Sequence, residues 1–266
     1  MKRPIIILVI VLVLTLGISG CAKVSKESRN FVALGIFYIK HNPDGTIDVK
    51  DGIGRSFRLV PRERLFQTKN IKRDYHTIPI PVKRIVAYST LDVAYLRALG
   101  VLDALVGVTE KKDEWIIPQV RKGMESGRIA YVGDPHSIDF ERIVSQEPEL
   151  VLTWDPSIVP VMDKLKIPCV VTTSGTALDL ESRIRFIEFL SVFFNKEEKA
   201  AKVVDKIKSG IKKVQLKTSR VSHKPGVIWG DVYGKRVLVE PGNSWVAQLV
   251  KLAGGKYLFD DIRGAS

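Results

Sequence analysis

The sequence predicts an α/β protein: two doubly wound lobes joined by one long helix, with the C-terminal lobe truncated. Three observations carry this. From residue 83 to 195 short apolar runs alternate with helical segments, the pattern of a parallel sheet covered on both faces. A single apolar stripe then runs through Lys196 to Lys217. From residue 220 the α/β alternation starts again, but only 47 residues remain, a segment too small to bury a stable lobe alone.

The 266 residues are 45% apolar and 27% charged, enough for one large domain or two lobes and not the composition of a disordered chain. Two cysteines, Cys21 and Cys169, exclude a disulfide scaffold and a cysteine-rich metal centre. Lys and Arg exceed Asp and Glu by 42 to 29, a net charge of +13, which calls for an acidic partner such as nucleic acid, anionic lipid or an anionic small molecule.

The amino terminus narrows that choice. Met1-Lys2-Arg3 is a positive opening, and Ile5 to Leu16 is a run of twelve almost wholly apolar residues. The run is short for a membrane span and right for a signal peptide. Ile18-Ser19-Gly20-Cys21 resembles the bacterial lipobox, in which the Cys21 thiol takes a diacylglycerol and cleavage makes Cys21 the first residue. Two or more acyl chains suffice for stable anchoring. Residues 1–20 are thus expected to be removed, and the mature charge is +11. The protein is expected outside the cytoplasmic membrane, in the periplasm or on the outer face of the cell, which argues against a nucleic-acid role. Cys169, in the apolar run Cys169-Val170-Val171, reads as a buried small hydrophobe.

Residues 21–82 read as a lipid-anchored leader and connector. Thr46 to Val49 and Ser56 to Val60 alternate like two strands of a hairpin around the turn Asp51-Gly52-Ile53-Gly54. Residues 61–82 read as an irregular basic connector. Arg84 to Tyr88 opens the N-terminal α/β lobe, residues 83–195, as a strand buried on both faces. Ser89-Thr90 opens a helix that Gly100 ends. Ala104 to Val108 is a strand, Asp139 to Val144 a helix and Glu149 to Thr153 a strand. Ile158 to Leu165 is a helix, Pro168 to Thr172 a strand and Leu178 to Phe194 a helix. Residues 196–219 form the inter-lobe helix, whose stripe is Ala200, Val203, Val204, Ile207, Ile211 and Val214. Nine basic residues between Lys196 and Arg220 face three acids. Residues 220–266 are a partial C-terminal lobe: strands Val227-Ile228-Trp229 and Arg236 to Val239, then helix Ser244 to Leu252. The expected cost of the truncation is an uncovered sheet edge and face.

Catalytic signatures are missing: the sequence holds no G-x-S-x-G, P-loop, H-E-x-x-H or complete G-x-G-x-x-G. Its four histidines, His41, His76, His136 and His223, follow no metal-ligand spacing. A Ser89, His136 and Asp155 triad has no local support. Neither a cofactor nor a resident metal is expected. Ligands of open parallel sheets sit beyond the carboxyl ends of the strands. The residues there are Tyr88-Ser89-Thr90, Thr109-Glu110, Trp154-Asp155-Pro156 and Thr172-Thr173-Ser174, with His136 on the same rim. Trp229 to Tyr233 takes the equivalent place in the second region. Aromatics with polar neighbours suit a flat or ringed ligand.

Arg84 to Ser89 with Ala98-Leu99-Gly100 and Val106-Gly107-Val108 resembles the opening of the iron-chelate and vitamin B12 substrate-binding proteins of ABC importers. Val132-Gly133, Ile138 to Ile143 and Glu147 to Leu152 resemble that family's next block, and Leu249 to Gly255 a later one. The resemblance implies two Rossmann-like lobes with the ligand between them, and no enzymatic activity. It implies a small-molecule ligand, an iron–siderophore chelate first and a corrinoid or haem second, handed to a membrane permease with its ATPase. Glu141 sits at the position of the family's permease-docking glutamate, and Trp154 where its cobalamin binder has an aromatic against the ligand. The second docking glutamate lies beyond the residues given. The expected ligand set is Tyr88, Ser89, Thr90, His136, Trp154, Asp155, Trp229 and Tyr233. A surface hydrolase or a sensory lipoprotein is the competing class.

Overall fold

The structure is a computed structural model that describes residues 31–34, 37–65, 76–172 and 179–264. The expected signal peptide, Cys21, Thr173 and Ser174 lie outside the described residues. The chain opens with five strands, β1 (Phe31–Leu34), β2 (Phe37–His41), β3 (Ile47–Lys50), β4 (Ser56–Pro61) and β5 (Thr77–Ile80), with a short helix α1 (Arg62–Leu65) before the last. They form one sheet in the order 1-2-3-4-5, antiparallel except for the parallel pair β4–β5. The expected hairpin is β3–β4, but it belongs to this larger sheet. The connector expected to be irregular ends in β5. Its Pro79 is tolerated because β5 is an edge strand. Alternate residues of β2 to β5 are buried. The Phe37 ring lies 4.8 Å from that of Phe186 and 4.6 Å from that of Phe189.

The lobe that follows runs β6 (Ile85–Ala87), α2 (Thr90–Leu99), β7 (Leu105–Val108), α3 (Pro118–Glu125), β8 (Ala130–Tyr131), β9 (Gly133–Asp134), β10 (Ser137–Ile138), α4 (Phe140–Ser145), β11 (Leu150–Thr153), α5 (Val159–Leu165), β12 (Cys169–Val171) and α6 (Leu180–Ser191). Five of these strands make a parallel sheet in the order β12-β11-β6-β7-β8. Every residue of β6, β7, β11 and β12 is buried. Alternate residues feed two cores. Ile85, Ala87, Leu150, Leu152 and Val170 pack with Leu96 of α2, Val120 of α3 and Phe189 of α6. Val86, Val151, Cys169 and Val171 pack with Ile143 of α4 and Met162 of α5. Helices therefore cover both faces, as the unbroken apolar strands require. Burial pushes the Cys169 thiol up to about 12, as expected for a packing residue.

The first sheet is fastened to the second at its edge strand β12. The Gly52 N–H donates to the Val171 carbonyl (2.8 Å) and the Val171 N–H to Asp51 Oδ2 (3.2 Å). Asp51 is fully buried and is paired with Arg55 at 2.8 Å. Arg55 also donates to the Cys169 carbonyl. The turn read from the sequence is thus a seam between two sheets.

Helix α7 (Glu197–Thr218) follows. The C-terminal region comprises β13 (Gly226–Val227), β14 (Gly230–Tyr233), β15 (Arg236–Val239), α8 (Trp245–Leu252) and β16 (Lys256–Tyr257). β13 pairs with β16 in parallel, and β14–β15 is a separate antiparallel hairpin. Val227 ends its strand, so the expected strand Val227-Ile228-Trp229 is shorter, and Gly230 to Tyr233 is a strand where a rim loop was expected. Helix α8 holds this region to the rest. The Arg183 guanidinium sits 4.1 Å over the Trp245 ring, Leu180 N–H donates to Gln248 Oε1, and Thr218 Oγ1 donates to the Leu252 carbonyl.

Candidate functional site

Read from β6 outwards, the parallel sheet has the doubly wound order 3-2-1-4-5, and its winding reverses between β6 and β11. That reversal opens a crevice at the carboxyl ends of the two strands. Register brings the expected residues there. Val86 lies opposite Val151 and Ala87 opposite Leu152, and the Tyr88 N–H donates to the Leu152 carbonyl. Ser89-Thr90 and Trp154-Asp155 therefore leave adjacent strands side by side.

Threonines finish this edge of the sheet. Thr109 Oγ1 donates to the Tyr88 carbonyl at 2.8 Å, and Thr172 donates through both N–H and Oγ1 to the Thr153 carbonyl. The loops beyond start from fixed ends. Ser89 is the N-cap of α2, its Oγ accepting from the Leu91 N–H at 3.1 Å. Asp155 caps the next turn, its carboxylate accepting from the N–H and Oγ of Ser157. The His136 ring meets the Trp154 ring edge-on, 5.9 Å between centroids. Trp154 is 37% exposed, which leaves ring surface for a ligand.

Tyr88 departs from the expectation. Its side chain is 1% exposed and packs in the α4–α5 core, because the strand's alternation turns it away from the rim. Its hydroxyl has no partner among the described residues, and burial raises its pKa. Trp229 and Tyr233 also part from the rim set. They belong to the C-terminal region, 54% and 78% exposed, where Tyr257 donates its hydroxyl proton to the Trp229 carbonyl. Among the described residues no hydrogen bond links Ser89, His136 and Asp155, and no group of three His, Cys, Asp or Glu could hold a metal.

The sequence reading missed Asp92. It sits in the first turn of α2, 2% exposed, accepting from Thr172 Oγ1 at 2.8 Å. Burial pushes its pKa up to about 7, against the lowering effect of that bond. The spacing Ser89-x-x-Asp92 is a capping-box signature, but the acid turns to Thr172. At the end of β7, burial and the neighbouring Glu114 and Asp134 raise Glu110. The rim is therefore not a cationic basin. Lys111 and Lys112 share its loops with Glu110, Glu114, Asp134 and Asp155, and α7 carries seven lysines against three acids. Glu141 is exposed on the first turn of α4.

The sequence profile of the family described as periplasmic binding protein matches residues 85–265. The chain belongs to this family. Among its relatives, a vitamin B12-binding protein of Vibrio parahaemolyticus is 26% identical over 186 residues, 67% of this chain and 62% of that protein. An uncharacterized lipoprotein of Methanocaldococcus jannaschii is 23% identical over 227 residues, 80% of this chain and 55% of that protein. The chain thus spans little more than half the length of these curated relatives. The fold of this periplasmic binding protein is also that of the petrobactin-binding protein of Bacillus subtilis, with a TM-score of 0.62 and 18% identity over 83% of this chain and 70% of that one. The vitamin B12 binding protein of Vibrio cholerae gives a TM-score of 0.52 at 20% identity, covering 70% and 69%. Three of these four are named for the vitamin B12 or petrobactin they bind. The family profile begins at β6, so the N-terminal sheet precedes the matched segment. Among the described residues no helix is long and apolar enough to cross a membrane.

Proposed function

We propose that this chain acts as an extracytoplasmic solute-binding lipoprotein of an ABC importer, anchored through Cys21. It carries a metal chelate to a permease and its ATPase, which it meets through Glu141. One observation carries the reading: in a chain of this family, the exposed Trp154 ring, His136 and the start of α2 converge at the switch point of the sheet. The chelate proposed is a corrinoid ahead of an anionic iron–siderophore. A ringed ligand has Trp154 to stack on, and a strongly anionic one would face Asp134, Asp155 and Glu110. The vitamin B12-binding relatives support the same order. A hydrolase has less support, since Ser89 Oγ is occupied as a helix cap.

Titrating the protein with cobalamin, haem and ferric siderophores while following Trp fluorescence tests this. Cobalamin should quench, and Trp154→Ala should weaken binding by about 1 kcal/mol or more. Tight binding of a ferric siderophore alone, unaffected by Trp154→Ala, would overturn the ligand and the site. Glu141→Ala should keep stability within about 0.5 kcal/mol and lower permease-dependent uptake, and Cys21→Ser should release the protein from membranes washed with high salt.

A further inference from the structure

We propose that the lysines along one side of α7 form a docking surface for the anionic headgroups of a lipid bilayer. With 3.6 residues per turn, Lys199, Lys202, Lys206, Lys213 and Lys217 fall within a sector of about 60° that extends for about 27 Å. The acids of the helix, Glu197, Glu198 and Asp205, project elsewhere around it. All five lysines are exposed and none forms an ion pair among the described residues; the Lys199 ammonium lies against Gly100 at the end of α2, at the end of the row nearest the first lobe. Lys208, outside the sector, is the one that pairs with an acid of α6, reaching Glu181 at 2.6 Å.

Among the described residues, the stretch of the helix before Thr218 joins α8 has little cover. Of the thirteen residues from Asp205 to Lys217, twelve are exposed. Ile207 and Val214, 40% and 45% exposed, border the lysine row. A straight row of cations beside half-exposed aliphatic side chains matches a flat anionic surface with an apolar layer beneath it. A compact anion would meet only one or two of the five.

The path of the chain agrees. Nine residues separate Cys21 from Phe31, where β1 begins, a reach of about 35 Å when extended. Phe37 packs on α6, and α6 lies against α7. A lipid at Cys21 thus leaves α7 within reach of the bilayer. The inference rests on the lipoprotein reading only for this reach.

The test is amine acylation of the full chain on two kinds of vesicle, one containing phosphatidylglycerol and one of phosphatidylcholine alone, read lysine by lysine. On anionic vesicles the five lysines should react about threefold or more slowly, and high salt should abolish the protection. Lys164 and Lys166, exposed at the end of α5, should react equally on both. Replacing the five lysines by glutamine in the Cys21→Ser chain should cut its affinity for anionic vesicles about tenfold or more. Equal labelling on the two vesicles overturns the proposal, and so does protection by heparin or polyglutamate without protection by anionic vesicles. Attachment of Cys21→Ser to neutral vesicles would strike the anchor reading alone, because the labelling comparison decides the lysine row in either case.

Discussion

Leu150-Val151-Leu152-Thr153 and Arg236-Val237-Leu238-Val239 are four-residue strands with the same Val-Leu pair at their centre. In β11 all four residues are buried, while in β15 three are exposed and only Val239 is partly covered. The difference lies in what stands beside them. β11 has a strand on each side and helices on both faces, so its side chains enter two cores. β15 has one partner, β14, and a two-stranded ribbon has little stability of its own. The buried core of the C-terminal region is Ala247, Val250 and Tyr257, held near α8. An apolar strand pattern shows a capacity for burial, and neighbouring elements decide whether it is used.

The largest effect that would sharpen this contrast is expected at the seam. Asp51→Ala leaves the Val171 N–H of the edge strand without its acceptor and the Arg55 guanidinium with only the more distant Asp163 carboxylate, at 3.7 Å. Breaking a buried pair in this way should cost about 3–5 kcal/mol, read by denaturant unfolding. A loss under about 1 kcal/mol would mean that β12 needs no cover.

A pH dependence comes next. Asp92 has its pKa raised to about 7 by burial, above an unfolded value of about 4. Between these values the folded protein keeps a proton that the unfolded chain has lost. Stability therefore falls as pH rises from about 4 to 7 and levels off above. Asp92→Asn should remove this decline, on the order of a few kcal/mol across the window. Parallel profiles of Tm against pH for the two proteins would refute it.

The smallest effect belongs to the hairpin. Leu238→Ser, at a position 60% exposed, should change stability by no more than about 0.5 kcal/mol. A loss of 2 kcal/mol or more would mean that the hairpin is covered in solution and would break the contrast.

Much of the first lobe was legible because its signals are local. Ser89 and Asp139 cap the helices they precede. Gly100 ends α2 at φ 73°, in the left-handed region where glycine is favoured. The candidate rim was legible for the same reason, since strand ends can be read from where apolar runs stop. The N-terminal sheet was only partly legible. β5 pairs with β4 across an intervening segment, and a four-residue run flanked and interrupted by proline carries no mark of that partner. Tyr88 shows the limit at the site itself. The run ending at Tyr88 locates the rim, but only the packed sheet tells on which side of it the ring falls.

Composition, caps and the alternation of apolar residues are properties of the chain near each position, and they were enough to establish the α/β class, the long helix and four of the five strands of the parallel sheet. The seam at Asp51, the burial of Asp92 against Thr172 and the turning of the Tyr88 ring into the core came from tertiary structure. Each depends on which distant segment fills the space beside a residue, and local periodicity carries no record of that neighbour.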